Sequence, residues 1–216
     1  MQRRSMQIAV IGWGSLIWCP DSLQITTKWS PDGPELPVEF ARISRDGRLT
    51  LVIHPGSRKV KTYWALSAFG TIKDACENLR VREGTAAHLV DVLQASDNHD
   101  EEMPGSRNAV LAWLKGKRDL DAAIWTAIKS NWEERRGIAF SQDDAKRYLS
   151  ELKCKRDDAV LSYDRACEYI QNAPEQIRTA LRDLLEDSPD FEARKGGALL
   201  SESVPGPATG ELGRSL

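Results

Sequence analysis

The amino-acid sequence predicts an α+β protein in which strands dominate the first half and helices the second. Two observations support this division. Residues 7–93 contain short apolar runs, rich in β-branched side chains and separated by glycine and proline turns, which is typical of strands. Beyond residue 106, apolar residues recur at every third or fourth position, which is typical of amphipathic helices.

Composition limits the class of protein. The chain has 216 residues, of which 41% are hydrophobic and 29% charged, as in ordinary globular proteins. Lys and Arg total 30 against 32 Asp and Glu, and this near-balance argues against a nucleic-acid partner. The apolar run near the start is too short to span a membrane. The four cysteines form no C-x-x-C pair, so we expect reduced thiols and a cytoplasmic location; the oligomeric state stays open.

The first half is expected to hold five strands and one helix. The strands are predicted at residues 7–11, 38–44, 49–53, 60–67 and 86–93. Asp46 and Gly47 are a hairpin-turn pair between the second and third strands. Thr71, with Asp74 three residues later, predicts the start of a short helix.

A polar, acidic loop divides the predicted domains. We expect an α/β core at residues 1–95, the loop at 96–106, a helical extension packed on the core at 107–195, and a disordered tail at 196–216. Five apolar stripes predict the helices of the extension: Val110, Leu111 and Leu114 before Gly116; Leu120, Ile124, Ile128 and Trp132; Tyr148, Leu149 and Leu152 after a cap at Ser141 and Asp144; Val160, Tyr163, Cys167 and Ile170; and Ile177, Leu181, Leu184 and Leu185 after Pro174.

The first candidate for chemistry is the turn that follows the first strand. Its glycines let the backbone approach a ligand closely, and its successive N–H groups can point at one anion. A dinucleotide fingerprint is excluded because Ile17 occupies the third glycine position, and the spacing around Ser15 is not that of a serine-hydrolase elbow. A plain glycine turn between elements remains an alternative. The candidate binding residues are Gly12, Trp13, Gly14, Ser15 and Leu16.

The second candidate is a carboxylate at the end of the predicted helix. Residues 79–84 read LRVREG, so Glu83 lies beside Arg82 and just before a glycine. Glu83 could serve as a general acid and base, and Arg42 could bind a substrate anion. The alternative is a surface helix end whose charges form an exposed ion pair, and that pairing is the expectation for Arg82.

Four segments in order resemble the gamma-glutamylcyclotransferases, most closely their ChaC-type branch. IAVIGWGSLIW (residues 8–18) is similar to the strand that runs into the family's Tyr-Gly-Ser-Leu motif, with Trp13 at the tyrosine position. FARISRDGRLTLVIHPG (residues 40–56) and YWAL (residues 63–66) resemble the segments that follow. LRVRE (residues 79–83) resembles the Leu-x-x-Arg-Glu motif whose glutamate is catalytic.

The resemblance implies a β-barrel or mixed sheet with short helices, followed here by a helical region. It implies an enzyme that cleaves a gamma-glutamyl amide by intramolecular attack, releasing 5-oxoproline and an amine. Glu83 would be the catalytic residue, and the turn at residues 12–16 with Arg42 would bind a small gamma-glutamyl compound. No cofactor and no metal are expected; His54, His88 and His99 are not at ligand spacing, and a Cys19–His54 dyad has no local support.

Two other hypotheses remain open. Trp13 and the added helices are compatible with a non-catalytic binding module on the same fold. They are also compatible with a related amide-processing enzyme for a larger substrate, such as a glutamyl-modified peptide or antibiotic precursor, with the helical half as a lid.

Overall fold

A computed structural model describes residues 5–98, 103–154 and 163–187. These residues form a mixed structure of seven strands and seven α-helices, so the α+β prediction is confirmed. The predicted tail, His99 and Val160 lie outside the described residues. No described helix has both the length and the apolar character needed to cross a membrane.

The strands are short, and their bounds follow the chain: β1 Ile8–Gly12, β2 Glu35–Ile43, β3 Leu49–Ile53, β4 Lys59–Lys61, β5 Tyr63–Leu66, β6 Val90–Gln94 and β7 Ala122–Thr126. The helices are α1 Ser15–Trp18, α2 Ile72–Glu83, α3 Gly105–Gly116, α4 Trp132–Arg136, α5 Gln142–Cys154, α6 Tyr163–Gln171 and α7 Ala180–Glu186.

The first sheet has the strand order β5-β1-β7-β6, with β1 and β7 parallel and the other pairs antiparallel. All five residues of β1 are buried. Because side chains alternate along a strand, Ala9 and Ile11 enter the larger apolar core, while Ile8 and Val10 enter a smaller one that α2 covers. β1 is therefore buried on both faces, and the turn after it begins in the interior.

The second sheet is antiparallel, with the order β3-β2-β4. The hairpin turn lies where Asp46 and Gly47 predict it, and Gly47 has a φ of 77°, which favours glycine. The register shifts between Glu39 and Arg42, which bends β2. Among the described residues the strands form two small open sheets, so the expected β-barrel form is not found.

The largest error of the sequence analysis is the helix expected from Leu120 to Trp132. This segment forms strand β7, followed by an irregular loop and the short helix α4. Ala122, Ala123, Ile124 and Trp125 are all buried. A central strand covered on both faces is continuously apolar, so any four-residue spacing can be picked out of it by chance.

The position of β7 also changes the predicted division of the chain. It lies between β1 and β6, so residues on both sides of the 96–106 loop build one sheet. The segment at 107–195 is therefore more than a helical extension, because it supplies a strand inside the core.

Smaller corrections concern element bounds. Residues 60–67 divide between β4 and β5, and a 3-10 turn at Ala87–Leu89 precedes β6. The last helix begins at Ala180 after a cap at Thr179, rather than at Pro174. The helix capped by Thr71 is confirmed, since the Thr71 hydroxyl accepts from the Asp74 backbone N–H. The helix predicted after Ser141 is confirmed as α5.

Candidate active site

Four of the predicted residues line one cavity of about 810 Å³, and they come from three separate parts of the chain. Trp13 and Ser15 belong to the turn after β1, Arg42 to β2, and Glu83 to the end of α2. The β2–β3 hairpin and α6 complete the wall. The sequence motifs thus converge on a single hollow, although 67 positions separate Ser15 from the Arg82–Glu83 pair.

The other predicted turn residues support the cavity without lining it. Leu16 is buried in the smaller core. A Cβ atom at Gly12 would lie 3.0 Å from ring atoms of Trp29, closer than ordinary packing allows. A Cβ atom at Gly14 would lie 3.4 Å from the Tyr169 hydroxyl oxygen. Crowding therefore favours glycine at position 12, whereas a Cβ atom at position 14 would make an ordinary contact with Tyr169.

Trp13 belongs mostly to the core. Its side chain is 4% exposed, and its indole N–H donates to the Leu51 carbonyl oxygen at 3.3 Å. The ring therefore presents only a small part of its surface to the cavity, and its one donor is already in use.

Glu83 is the last residue of α2. Gly84 follows with a φ of 59°, a left-handed cap that ends the helix. The Glu83 Oε1 atom accepts from Arg82 at 2.5 Å, and the two side chains are 18% and 7% exposed. The alternative interpretation is therefore confirmed in that Glu83 ends a helix and pairs with an arginine, and wrong in that the pair is largely buried. Oε2 of Glu83 has no hydrogen-bond partner among the described residues.

Arg82 connects the helix to the turn. Its Nη2 atom donates to the Ser15 hydroxyl oxygen at 3.2 Å and to the Cys19 carbonyl oxygen. Its Nε atom is buried and has no hydrogen-bond partner in the described part of the chain. The expectation that Arg82 pairs with a surface acid is wrong: it is a buried cation that joins Glu83 to the Ser15 turn.

Arg42 is a half-buried cation in the cavity wall. Its Nη1 atom donates to the Lys129 carbonyl oxygen at 2.9 Å, and within the described ranges it forms no ion pair. Burial lowers the pKa of the Arg42 guanidinium, although Glu134 partly opposes this effect. A desolvated cation without a carboxylate partner is suited to binding an anionic ligand.

Tyr169 is the residue that the sequence analysis missed. It lies on α6, and Gly14 and Ser15 approach its hydroxyl. Burial raises the pKa of this phenol, and hydrogen bonding from the Ser15 hydroxyl and backbone N–H works in the opposite direction. In the sequence, Tyr169 precedes Ile170, one of the apolar residues that predict the helix. This neighbour predicts that Tyr169 lies near the core but does not indicate which part of the core it contacts.

The remaining candidates do not combine into a second site. Cys19 lines the cavity, and its thiol donates to Asp21 at 3.2 Å, which raises the pKa of the thiol. His54 instead contacts Ser57 and the ring of Phe140, so the Cys19–His54 dyad is not formed. Among the described residues, no group of three His, Cys, Asp or Glu side chains is placed to hold a metal ion.

Comparison of the chain with protein-family models, curated proteins and solved structures finds no match. One carboxylate is held at one oxygen and free at the other. The guanidinium of Arg82 that holds this carboxylate also donates to the Ser15 hydroxyl oxygen. The Tyr169 phenol lines the same cavity, as does the Arg42 guanidinium, which forms no ion pair among the described residues.

Proposed function

We propose that this protein is a cofactor-independent cyclotransferase that cleaves a small gamma-glutamyl amide and releases 5-oxoproline and an amine. The observation that carries the proposal is the shared cavity of Glu83 and Ser15, joined through Arg82. The ordered resemblance of four segments to the gamma-glutamylcyclotransferases supports the same activity, and we propose a fold of that type. The unpaired cysteines Cys19, Cys76 and Cys167 are compatible with action in the cytoplasm.

The reaction requires little beyond proton transfer, because the nucleophile is part of the substrate. Glu83 accepts a proton from the α-ammonium group, and the freed amine attacks the γ-carbonyl carbon to form the lactam C–N bond. The original amide C–N bond then breaks, and Glu83 returns the proton to the leaving nitrogen. The attacking nitrogen also passes its second excess proton to the leaving nitrogen, so Glu83 ends the cycle as a carboxylate.

The ion pair with Arg82 orients the base. Because Arg82 holds Oε1, the free Oε2 atom of Glu83 is the oxygen that accepts the proton. Arg42, which lines the same cavity and forms no ion pair within the described ranges, binds the substrate α-carboxylate. The Ser15 hydroxyl and the neighbouring amides are donors for the oxyanion that develops on the γ-carbonyl oxygen.

The test is mass-spectrometric detection of 5-oxoproline from a panel of gamma-glutamyl amides with different leaving amines. Glu83→Gln keeps the shape of the side chain but removes the base, so we expect kcat to fall by at least about 100-fold. Glu77→Gln is the matched control, since Glu77 lies on the same helix with a 57% exposed side chain paired to Arg80. Equal rates for the Glu83 variant and the wild type would remove Glu83 from the mechanism.

The size of the cavity favours one second candidate, an amide-processing enzyme for a larger glutamyl-modified substrate. About 810 Å³ is near the upper end of the range of roughly 300–1,000 Å³ for small-molecule pockets. Turnover of a long gamma-glutamyl peptide or acylated amine, without turnover of simple amides, would favour this candidate over the first.

A further inference from the structure

In the turn after β1, the side chain at position 13 offers no free hydrogen-bond donor. This residue is Trp13, and its N–H group donates to the Leu51 carbonyl oxygen. A phenol nevertheless reaches the same turn from the other half of the chain, on α6. We propose that Tyr169 is a substrate-binding residue whose hydroxyl donates a hydrogen bond to the oxyanion formed on the γ-carbonyl oxygen; this inference rests on the proposed cyclotransferase activity.

The position of the hydroxyl is the first support. The Tyr169 hydroxyl oxygen lies 3.4 Å from the place that a Cβ atom would take on Gly14, the residue directly before Ser15. A substrate oxygen bound to the Ser15 hydroxyl or backbone N–H would therefore lie beside the phenol. Tyr169 lines the cavity together with Ser15 and Glu83.

The ring is held from two sides. Trp18 meets it edge-on with 5.2 Å between ring centroids, and the Arg48 guanidinium lies 5.6 Å from the ring centroid. Arg48 is itself fixed by Asp46 at 2.7 Å. The phenol can therefore change its hydrogen-bond partner without moving its ring, which is the preorganisation that an oxyanion donor requires.

The helix that carries Tyr169 is anchored in the core. Ala166, Cys167 and Ile170 of α6 are at most 1% exposed, and the helix packs against β3. This anchoring places Tyr169 at the turn without any local sequence motif. Because burial also raises the pKa of Tyr169, the phenol keeps its proton and acts as a donor at neutral pH.

Tyr169→Phe tests the inference, since it removes one oxygen and keeps the ring that packs on Trp18. We expect kcat for 5-oxoproline release to fall by about 10- to 100-fold, with KM changed by less than about threefold, because the hydrogen bond strengthens only when the oxyanion forms. Tyr148→Phe is the matched control: its hydroxyl donates to the Gly47 carbonyl oxygen at 2.7 Å, and Tyr148 does not line the cavity. A Tyr169→Phe enzyme with wild-type kcat would overturn the inference and leave the proposed function intact.

A second measurement separates binding of the oxyanion from packing. If Ser15 and Tyr169 bind the same oxygen, Ser15→Ala combined with Tyr169→Phe loses clearly less activity than the product of the two single losses. Strict multiplication of the losses would contradict a shared oxyanion. Absence of 5-oxoproline from the wild-type enzyme with every amide would instead remove the proposed function, and the role of Tyr169 with it.

Discussion

At the residue scale, the charges of the cavity are unequally satisfied. Glu83 forms an ion pair with Arg82, and Arg48 with Asp46, whereas Arg42 donates only to a backbone carbonyl oxygen. Burying a cation without an anion costs free energy, and a ligand carboxylate would recover that cost. We therefore expect the affinity for substrate to depend on an ion pair between its carboxylate and Arg42.

Replacing Arg42 tests this role. Arg42→Gln keeps a donor for the Lys129 carbonyl but removes the charge, so we expect KM for a gamma-glutamyl amide to rise by about 10- to 100-fold with a smaller change in kcat. The matched control is Arg118→Gln, an exposed arginine outside the cavity. An unchanged KM in steady-state assays would assign the substrate carboxylate to another group.

At the element scale, the site depends on how α2 is attached to the turn after β1. Thr71 caps the start of the helix and Gly84 caps its end. Glu83 is therefore the last helical residue. Arg82 then fixes the helix end against Ser15 and Cys19. The acid and the turn are thus held together by one side chain.

Arg82→Gln should loosen this connection and leave Glu83 without its cation. We expect a loss of about 2 to 3 kcal/mol in the free energy of unfolding, at the low end for a buried pair because Glu83 is partly exposed. Arg80→Gln is the control on the same helix, since Arg80 pairs with the exposed Glu77 and its replacement should cost clearly less than that of Arg82. Both values are measurable by urea unfolding, and equal losses would mean that Arg82 does not join the two elements.

At the scale of the whole molecule, short-range patterns predicted some features and long-range packing decided the others. The strand before Gly12, the hairpin at Asp46 and the helix after Thr71 each depend on neighbouring residues, so their sequence patterns were sufficient. β7 was missed because a strand buried on both faces has no alternation to detect. Tyr169 was missed because its role depends on where α6 packs, which no local pattern specifies.

The convergence of Glu83, Ser15 and Arg42 was suggested by the order of the motifs. It could not be derived from any one of them, because surface charges and glycine turns are common in unrelated proteins. The fold brings these residues together around β1, an inner strand of the first sheet. Helix α2, which carries Glu83, covers one face of β1. The larger core, which includes residues of the β2–β3 hairpin, covers the other face. The central claim is therefore spatial: the acid and the turn act on one ligand.

A crystal structure of the Glu83→Gln variant with an uncleaved gamma-glutamyl amide tests that claim most directly, since this variant should bind the amide without consuming it. We predict that the ligand occupies the cavity, with its α-amine beside the side chain at position 83, its γ-carbonyl oxygen at Ser15 and its carboxylate at Arg42. An empty cavity at saturating amide, or a ligand that contacts Ser15 while position 83 lies beyond its reach, would contradict the account.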